Sequence, residues 1–205
     1  MMKILIIGAT GTIGRAVVHE LKDRHELILA GSKSGDITVD INDIRSIIKM
    51  YETLPLLDAV IVTAGTVHFA PLTAMTSELY QIGLTSKLLG QVNIVLQGIK
   101  YLNEGGSFTV TSGSANRDPY KQGSSSAMVN GAIDGFVRGA AIELPKRLRI
   151  NAVSPSILTE SMKNYADYFR GFMPVPAEEV AIAYTKSVEG AQTGNIYSVG
   201  ELFLK

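Results

Sequence analysis

The sequence predicts a single doubly wound α/β domain: a parallel sheet of seven strands with helices on both faces. Three observations lead there. Apolar runs of strand length alternate with segments of helical periodicity along the chain. A glycine-rich turn joins the first strand to the first helix. The 205 residues suit one compact domain and contain no repeat, linker or low-complexity tract.

The first strand is Lys3 to Ile7, where Ile4-Leu5-Ile6-Ile7 reads as a buried parallel strand ending at Gly8. Thr12 to Arg24 follows, with Ile13, Val17, Val18 and Leu21 at helical spacing. Glu26 to Ala30 and Asp36 to Val39 are the second and third strands, joined only by the short stretch Gly31 to Gly35. Asp43 to Thr53 is a helix with Ile44, Ile47, Ile48 and Tyr51 on one side, and Asp58 to Thr63 is the fourth strand. One long helix is predicted from Met75 to Leu102, ended by Gly105-Gly106, before a fifth strand at Ser107 to Thr111. Ser124 to Leu144 reads as helix and Leu148 to Val153 as the sixth strand. Pro155 to Pro176 is irregular, with room for a short helix. Ala177 to Val188 is the last helix, with Glu178 and Glu179 at the positive end of its dipole, and Asn195 to Val199 closes the sheet.

Composition excludes several classes of function. Lys+Arg and Asp+Glu are both 19, so the chain lacks the basic excess of a protein that tracks nucleic-acid phosphates. Without cysteine there is no disulfide framework, thiolate metal site or cysteine nucleophile. No apolar run approaches the ~18–20 residues that span a bilayer. Met1-Met2-Lys3-Ile4 enters the first strand without a small-residue cleavage site, so a cytoplasmic protein is expected. No His/Asp/Glu cluster has metal-ligand spacing, so no metal is expected. His19 and His25 flank the first helix and read as solvated, while His68 lies in the loop after strand four.

Glycine is enriched, 20 of 205 residues, or about 10% against a usual ~7%. Three of these form the turn Gly8-Ala9-Thr10-Gly11-Thr12-Ile13-Gly14. Gly8 permits the tight turn, Gly11 close backbone approach to a diphosphate, and Gly14 tight packing of the helix on the sheet. Free N–H groups at the helix start then favour an anion. Gly131, Gly135 and Gly139 recur every four residues on the predicted fifth helix. Each costs about 1 kcal/mol against alanine, which implies close packing on that face by the same chain's sheet or by a second subunit.

At this point the sequence resembles the short-chain dehydrogenase/reductase family, over nearly its whole length. The carrying stretches are the glycine turn, Asp40-Ile41, Thr63-Ala64-Gly65, Gly105-Gly106-Ser107 to Ser112, Phe136 to Leu144, Arg149 to Pro155 and Thr193 to Tyr197. The resemblance implies a Rossmann-like fold that binds a nicotinamide dinucleotide. It places the cofactor against Gly8, Thr10, Gly11, Thr12, Ile13 and Gly14, against Asp40 and Ile41 at the adenine, and against Ala64 and Gly65. Pro155, Ile157 and Thr159 also fall at the cofactor, although Ser156 replaces a family glycine. A carboxylate ending strand two would suit the ribose of NAD; here Ser32 and Lys33 stand there instead and favour the 2′-phosphate of NADP, with NAD as the alternative.

The family reduces carbonyls with a serine, a Tyr-x-x-x-Lys pair and an asparagine on the preceding helix. Here the pair reads Ser126-Ala127-Met128-Val129-Asn130, the asparagine position is Lys87, and the serine position is Gly113 between Ser112 and Ser114. One implication is that Lys87 and Asn130 have exchanged roles, with Ser112, Ser126 or Tyr120 assisting the carbonyl in place of the missing phenol. The other is a nucleotide-binding sensor or scaffold that transfers no hydride. Ser126 is a far weaker acid than a phenol, and Tyr120 could reach in from its loop. Tyr165, Tyr168, Phe169 and Phe172 between Met162 and Met173 read either as a lid over an apolar substrate pocket or as a helix packed on the core. The expected partners are a small carbonyl or alcohol substrate and further copies of the chain, as a homodimer or homotetramer, with no nucleic acid and no membrane.

Overall fold

A computed structural model describes residues 1–200. Its seven strands form one all-parallel sheet in the order β3-β2-β1-β4-β5-β6-β7. The strands are β1 (Lys3–Ile7), β2 (Glu26–Gly31), β3 (Ile37–Thr38), β4 (Leu57–Val62), β5 (Leu102–Thr111), β6 (Arg149–Pro155) and β7 (Ile196–Val199). The helices are α1 (Thr12–Leu21), α2 (Ile44–Glu52), α3 (Ser77–Gly83), α4 (Gly90–Gly98), α5 (Ser124–Ala140), α6 (Met162–Tyr165) and α7 (Ala177–Glu189).

Alternation along each strand divides the core in two. Leu5 and Ile7 of β1, Val60 and Val62 of β4, and Phe108 and Val110 of β5 face α2, α4 and α5. Ile4, Ile6, Ala59 and Ile61 point the other way, onto α1 and α7. β5 also turns hydroxyls toward α7: Thr109 Oγ1 lies 2.7 Å from Ser187 Oγ, and Thr111 Oγ1 lies 2.5 Å from the Tyr184 hydroxyl. The strand order reverses between β1 and β4, and doubly wound sheets bind ligands at the carboxyl ends of the strands beside such a reversal. There the Thr63 amide donates to Ile7 O at 2.8 Å, and its hydroxyl to Gly8 O at 3.1 Å.

The structure departs from the sequence expectations in four places. The predicted helix from Met75 to Leu102 is divided: α3 passes through a π-helical turn at Leu84–Leu89 into α4, then a 3₁₀ turn at Ile99–Tyr101. β5 begins at Leu102, so Gly105 and Gly106 lie within the strand rather than ending a helix. Its early residues bulge, pairing Leu57 with Leu102 and then Ala59 with Ser107. The first and fifth helices end at Leu21 and Ala140, short of the predicted Arg24 and Leu144. His25 is not solvated: its Nδ1 accepts the Met2 amide at 3.3 Å and its Nε2 lies 2.9 Å from Glu189. Among the described residues, no helix is long and apolar enough to cross a membrane.

Candidate active site

Two cavities meet beside the strand-order reversal. One, of about 340 Å³, is lined by Gly8, Thr10, Gly11, Ser32, Asp40, Ile41, Ala64 and Gly65 and ends at Ser86. The other, of about 220 Å³, begins at Lys87, takes in Ser112, Ser126, Asn130 and Tyr120, and reaches Pro155 and Ile157 after β6. Ile13 lines this second cavity rather than the first.

The first cavity is a backbone cradle. Gly8 has φ +87°, a left-handed conformation, and a Cβ there would stand 2.8 Å from Thr63 Oγ1. A Cβ on Gly14 would collide with the Gly8 carbonyl oxygen and the Ala9 backbone. The packing at Gly14 is therefore against the turn itself, where the sequence suggested the sheet. Gly11 caps α1 without a side chain, so the first N–H groups of the helix, on Thr12, Ile13 and Gly14, have no capping side chain. Arg15 Nη1 donates to the Thr10 carbonyl at 2.6 Å and braces the turn. Asp40 is oriented by the Asn42 amide and side chain, at 2.9 and 2.8 Å. These features fit a dinucleotide: uncapped donors for a diphosphate and side chains withdrawn where its backbone would pass.

Lys87 sits in the π turn, an irregularity frequent at functional sites. Gly65, at φ +132°, fits against it; a Cβ there would come within 2.8 Å of Lys87 Cα. The ammonium donates to the Ser112 carbonyl at 2.9 Å. Loss of hydration lowers its pKa from the ordinary 10.5 to about 8, against the pull of Asp134, which raises it. Across the cavity, Asn130 is buried and donates from Nδ2 to Ser126 Oγ at 3.3 Å. Asn130 Oδ1 and Ser112 Oγ are buried with no protein partner among the described residues. At Gly113 a Cβ would stand 2.8 Å from Asn130 Nδ2, so Asn130 occupies the room that a side chain there would need.

The loop after β5 brings Tyr120 into this cavity, against Ser126. Burial raises the phenol's pKa, which the Ser126 hydroxyl, hydrogen-bonded to it, partly offsets. A Cβ on Gly123 would stand 2.6 Å from the Tyr120 ring, so this glycine admits the inward turn. The same ring packs on Phe169 with centroids 4.2 Å apart and on Phe69 at 6.2 Å.

One pair was not anticipated from the sequence. Asp134, only 2% exposed on α5, accepts from Arg117 Nη1 at 2.9 Å and from Asn116 Nδ2 at 2.8 Å. Arg117 Nη2 continues to Ser154 Oγ on β6 at 2.6 Å. The loop that carries Ser112 and Tyr120 is thereby fastened to a helix and a strand. The available signal was a carboxylate on the same stripe of α5 as Val129, Ile133 and Val137.

Some predicted residues stay outside the cavity walls. Thr12 and Gly14 contribute backbone at the helix start. Lys33 is exposed beyond Ser32, His68 lines neither cavity, and the Thr159 amide donates to Val175 O at 3.0 Å. Among the described residues no group of three or more His, Asp or Glu side chains could hold a metal ion.

Comparison with known proteins agrees with this architecture. A family model described as enoyl-(acyl carrier protein) reductase matches residues 9–198. The short-chain dehydrogenase/reductase ATR9 of Stachybotrys chlorohalonatus is 26% identical over 182 residues, covering 74% of this chain and 72% of that protein. The short chain dehydrogenase claC of Passalora fulva is 26% identical over 132 residues, and the chain spans only 49% of its length. Among solved structures, protein lin1944 of Listeria innocua superimposes with a TM-score of 0.96 at 52% identity, covering 97% of this chain and 100% of that one. A small-chain dehydrogenase crystallised in complex with NADPH gives a TM-score of 0.86 at 27% identity, covering 96% and 95%.

Proposed function

Because the chain belongs to the short-chain dehydrogenase/reductase family, we propose that it is an NADP(H)-dependent oxidoreductase that interconverts a carbonyl and an alcohol on a small molecule. The observation that carries this is the adjacency of the two cavities, lined by the consecutive residues Ser86 and Lys87, one walled by the glycine turn and the other by an ammonium, an amide, a phenol and serine hydroxyls. The reduced nicotinamide, when bound, supplies the hydride.

The chain's own residues would do the rest. Gly8, Gly11 and the uncapped N–H groups of α1 hold the diphosphate. Ala64 and Gly65 leave room for the cofactor to pass between the cavities. Ser32 and Lys33 favour the 2′-phosphate, since the end of β2 offers no carboxylate; the relative crystallised with NADPH supports the same choice. Lys87 orients the nicotinamide ribose, and Asn130 holds Ser126, so the family's lysine and asparagine positions have exchanged. Tyr120 supplies the proton to the developing alkoxide, its buried phenol staying protonated until then. Ser112 and Ser126 hold the carbonyl oxygen.

Assembly as a homodimer or homotetramer is supported by the face between α4 and α5. A Cβ on Gly135 or Gly139 would meet nothing within 4 Å among the described residues, and Leu96, 52% exposed, lines a surface cavity with Gly139. A Cβ on Gly131 would stand at an ordinary 3.7 Å from Asn116, so packing within the described residues does not account for this stripe of glycines.

The test is titration with NADPH and NADH, followed by carbonyl compounds while the reduced nicotinamide absorbance is read. Turnover with NADPH supports the proposal. Tight binding without turnover of any carbonyl would make the protein a nucleotide-binding sensor or scaffold, and binding of neither nucleotide would remove both readings.

A further inference from the structure

Three of the segments that wall the second cavity follow strands, and each contributes rings. Phe69 follows β4, Tyr120 follows β5, and Tyr165 and Phe169 follow β6. The rings form one sheath: Tyr120 to Phe169 at 4.2 Å, Phe69 to Tyr120 at 6.2 Å, Phe69 to Tyr165 at 6.0 Å. Tyr165 remains 38% exposed, while Phe169 beneath it is 7% exposed. Polar groups line the same cavity, among them Ser112, Ser126 and Asn130. Among the described residues the only charged side chain lining the cavity is Lys87, and its ammonium already donates to the Ser112 carbonyl.

We infer that the substrate is an uncharged carbonyl compound bearing an aromatic ring, seated with the ring among Phe69, Tyr165 and Phe169 and the carbonyl toward Ser112 and Ser126. The inference rests on the oxidoreductase reading and specifies its substrate. A ring fits because edge and offset contacts with aromatic walls add affinity beyond area burial, and because it would complete the cover of Tyr165. A carboxylate or phosphate does not fit, since entering these walls would strip its water without offering a second cation. In the forward reaction the reduced nicotinamide, when bound, would supply a hydride to the carbonyl carbon as the C=O π bond breaks. The oxygen takes the Tyr120 proton, which solvent replaces, so the carbonyl compound is reduced to an alcohol as the nicotinamide is oxidised.

Binding separates this inference from the reading beneath it, because it needs no turnover. Calorimetry on the full chain with excess NADP would compare benzyl alcohol, cyclohexylmethanol and 4-carboxybenzyl alcohol. The expected result is benzyl alcohol bound about fivefold or more tighter than cyclohexylmethanol, the scale of aromatic pairing, and 4-carboxybenzyl alcohol weakest. Phe69→Leu and Phe169→Leu should each bring the first ratio toward one, and Phe69, only partly buried, gives the variant that spares the core. Equal binding of the two rings, or preference for the carboxylate, overturns the inference even if NADPH is oxidised by other carbonyls. Ring-selective binding with no oxidation of NADPH by benzaldehyde or any other carbonyl tested upholds the pocket and overturns the oxidoreductase reading instead.

Discussion

The Lys87 ammonium donates to the Ser112 carbonyl oxygen across 2.9 Å, joining the π turn between α3 and α4 to the end of β5. The lysine thus spans the border of the two cavities with a pKa of about 8. If its ammonium holds the cofactor, NADPH affinity falls as pH rises through about 8. Folding stability moves the other way. Between that value and the ordinary 10.5 the unfolded chain binds more protons, so this residue's contribution to stability rises with pH across the window. Lys87→Met should remove both dependences, read from the pH profile of the NADPH dissociation constant and from urea midpoints. A profile unchanged by the substitution would contradict the assignment.

The proposed mechanism divides the work at the carbonyl between Tyr120 and Ser126. Tyr120→Phe keeps the ring contacts and removes only the proton, so kcat should drop by about 10²–10⁴, the range for a lost general acid. The dissociation constant for NADPH should stay as it was. Ser126→Ala should cost less, about tenfold, because the phenol remains. Single-turnover measurements at saturating cofactor distinguish the two.

The Arg117–Asp134 pair predicts a loss of stability. Arg117→Met leaves the Asp134 carboxylate buried without its paired guanidinium, held by Asn116 and the field of Lys87, and should cost ~3 kcal/mol. Asp134→Asn in the same chain should recover part of that, because the stranded charge is gone. Urea denaturation of the single and double variants checks this; a double variant as unstable as the sum of the singles would contradict it.

Two glycines should respond in opposite ways. Gly14→Ala drives a Cβ into the Gly8 carbonyl, so the turn must shift and NADPH binding should be lost. Gly139→Ala adds a Cβ in open space on α5 and should stabilise the monomer by up to ~1 kcal/mol. If copies pair across that face, the same methyl should weaken assembly, visible as a lower sedimentation mass at equal concentration.

The legible and illegible parts of this chain have different physical origins. β1, α1 and their turn could be read directly because Ile4 to Gly14 encodes them locally: an apolar run, a glycine at positive φ and a helix start. The early start of β5 could not, since Leu102 to Gly106 has no strand alternation and its bulge is set by pairing with Leu57 on β4. The π turn was hidden because helical spacing continues through it, with only Gly83 and Gly90 at its edges. Whether Tyr120 reaches the cavity could not be read from the sequence because the loop that carries it is fastened through Arg117 to a distant carboxylate, Asp134. His25 looked solvated because its partners, Met2 and Glu189, lie far from it in sequence.

The central claim is that an NADP(H) site and a proton donor survive here on exchanged residues. The most direct measurement is stopped-flow mixing of the NADPH-loaded protein with benzaldehyde, following nicotinamide absorbance in the unsubstituted chain, Lys87→Met and Tyr120→Phe. The expected results are oxidation of NADPH by the unsubstituted chain, weakened but measurable NADPH binding in the first variant, and retained binding with a slow hydride step in the second. Oxidation at the same rate in all three would contradict it.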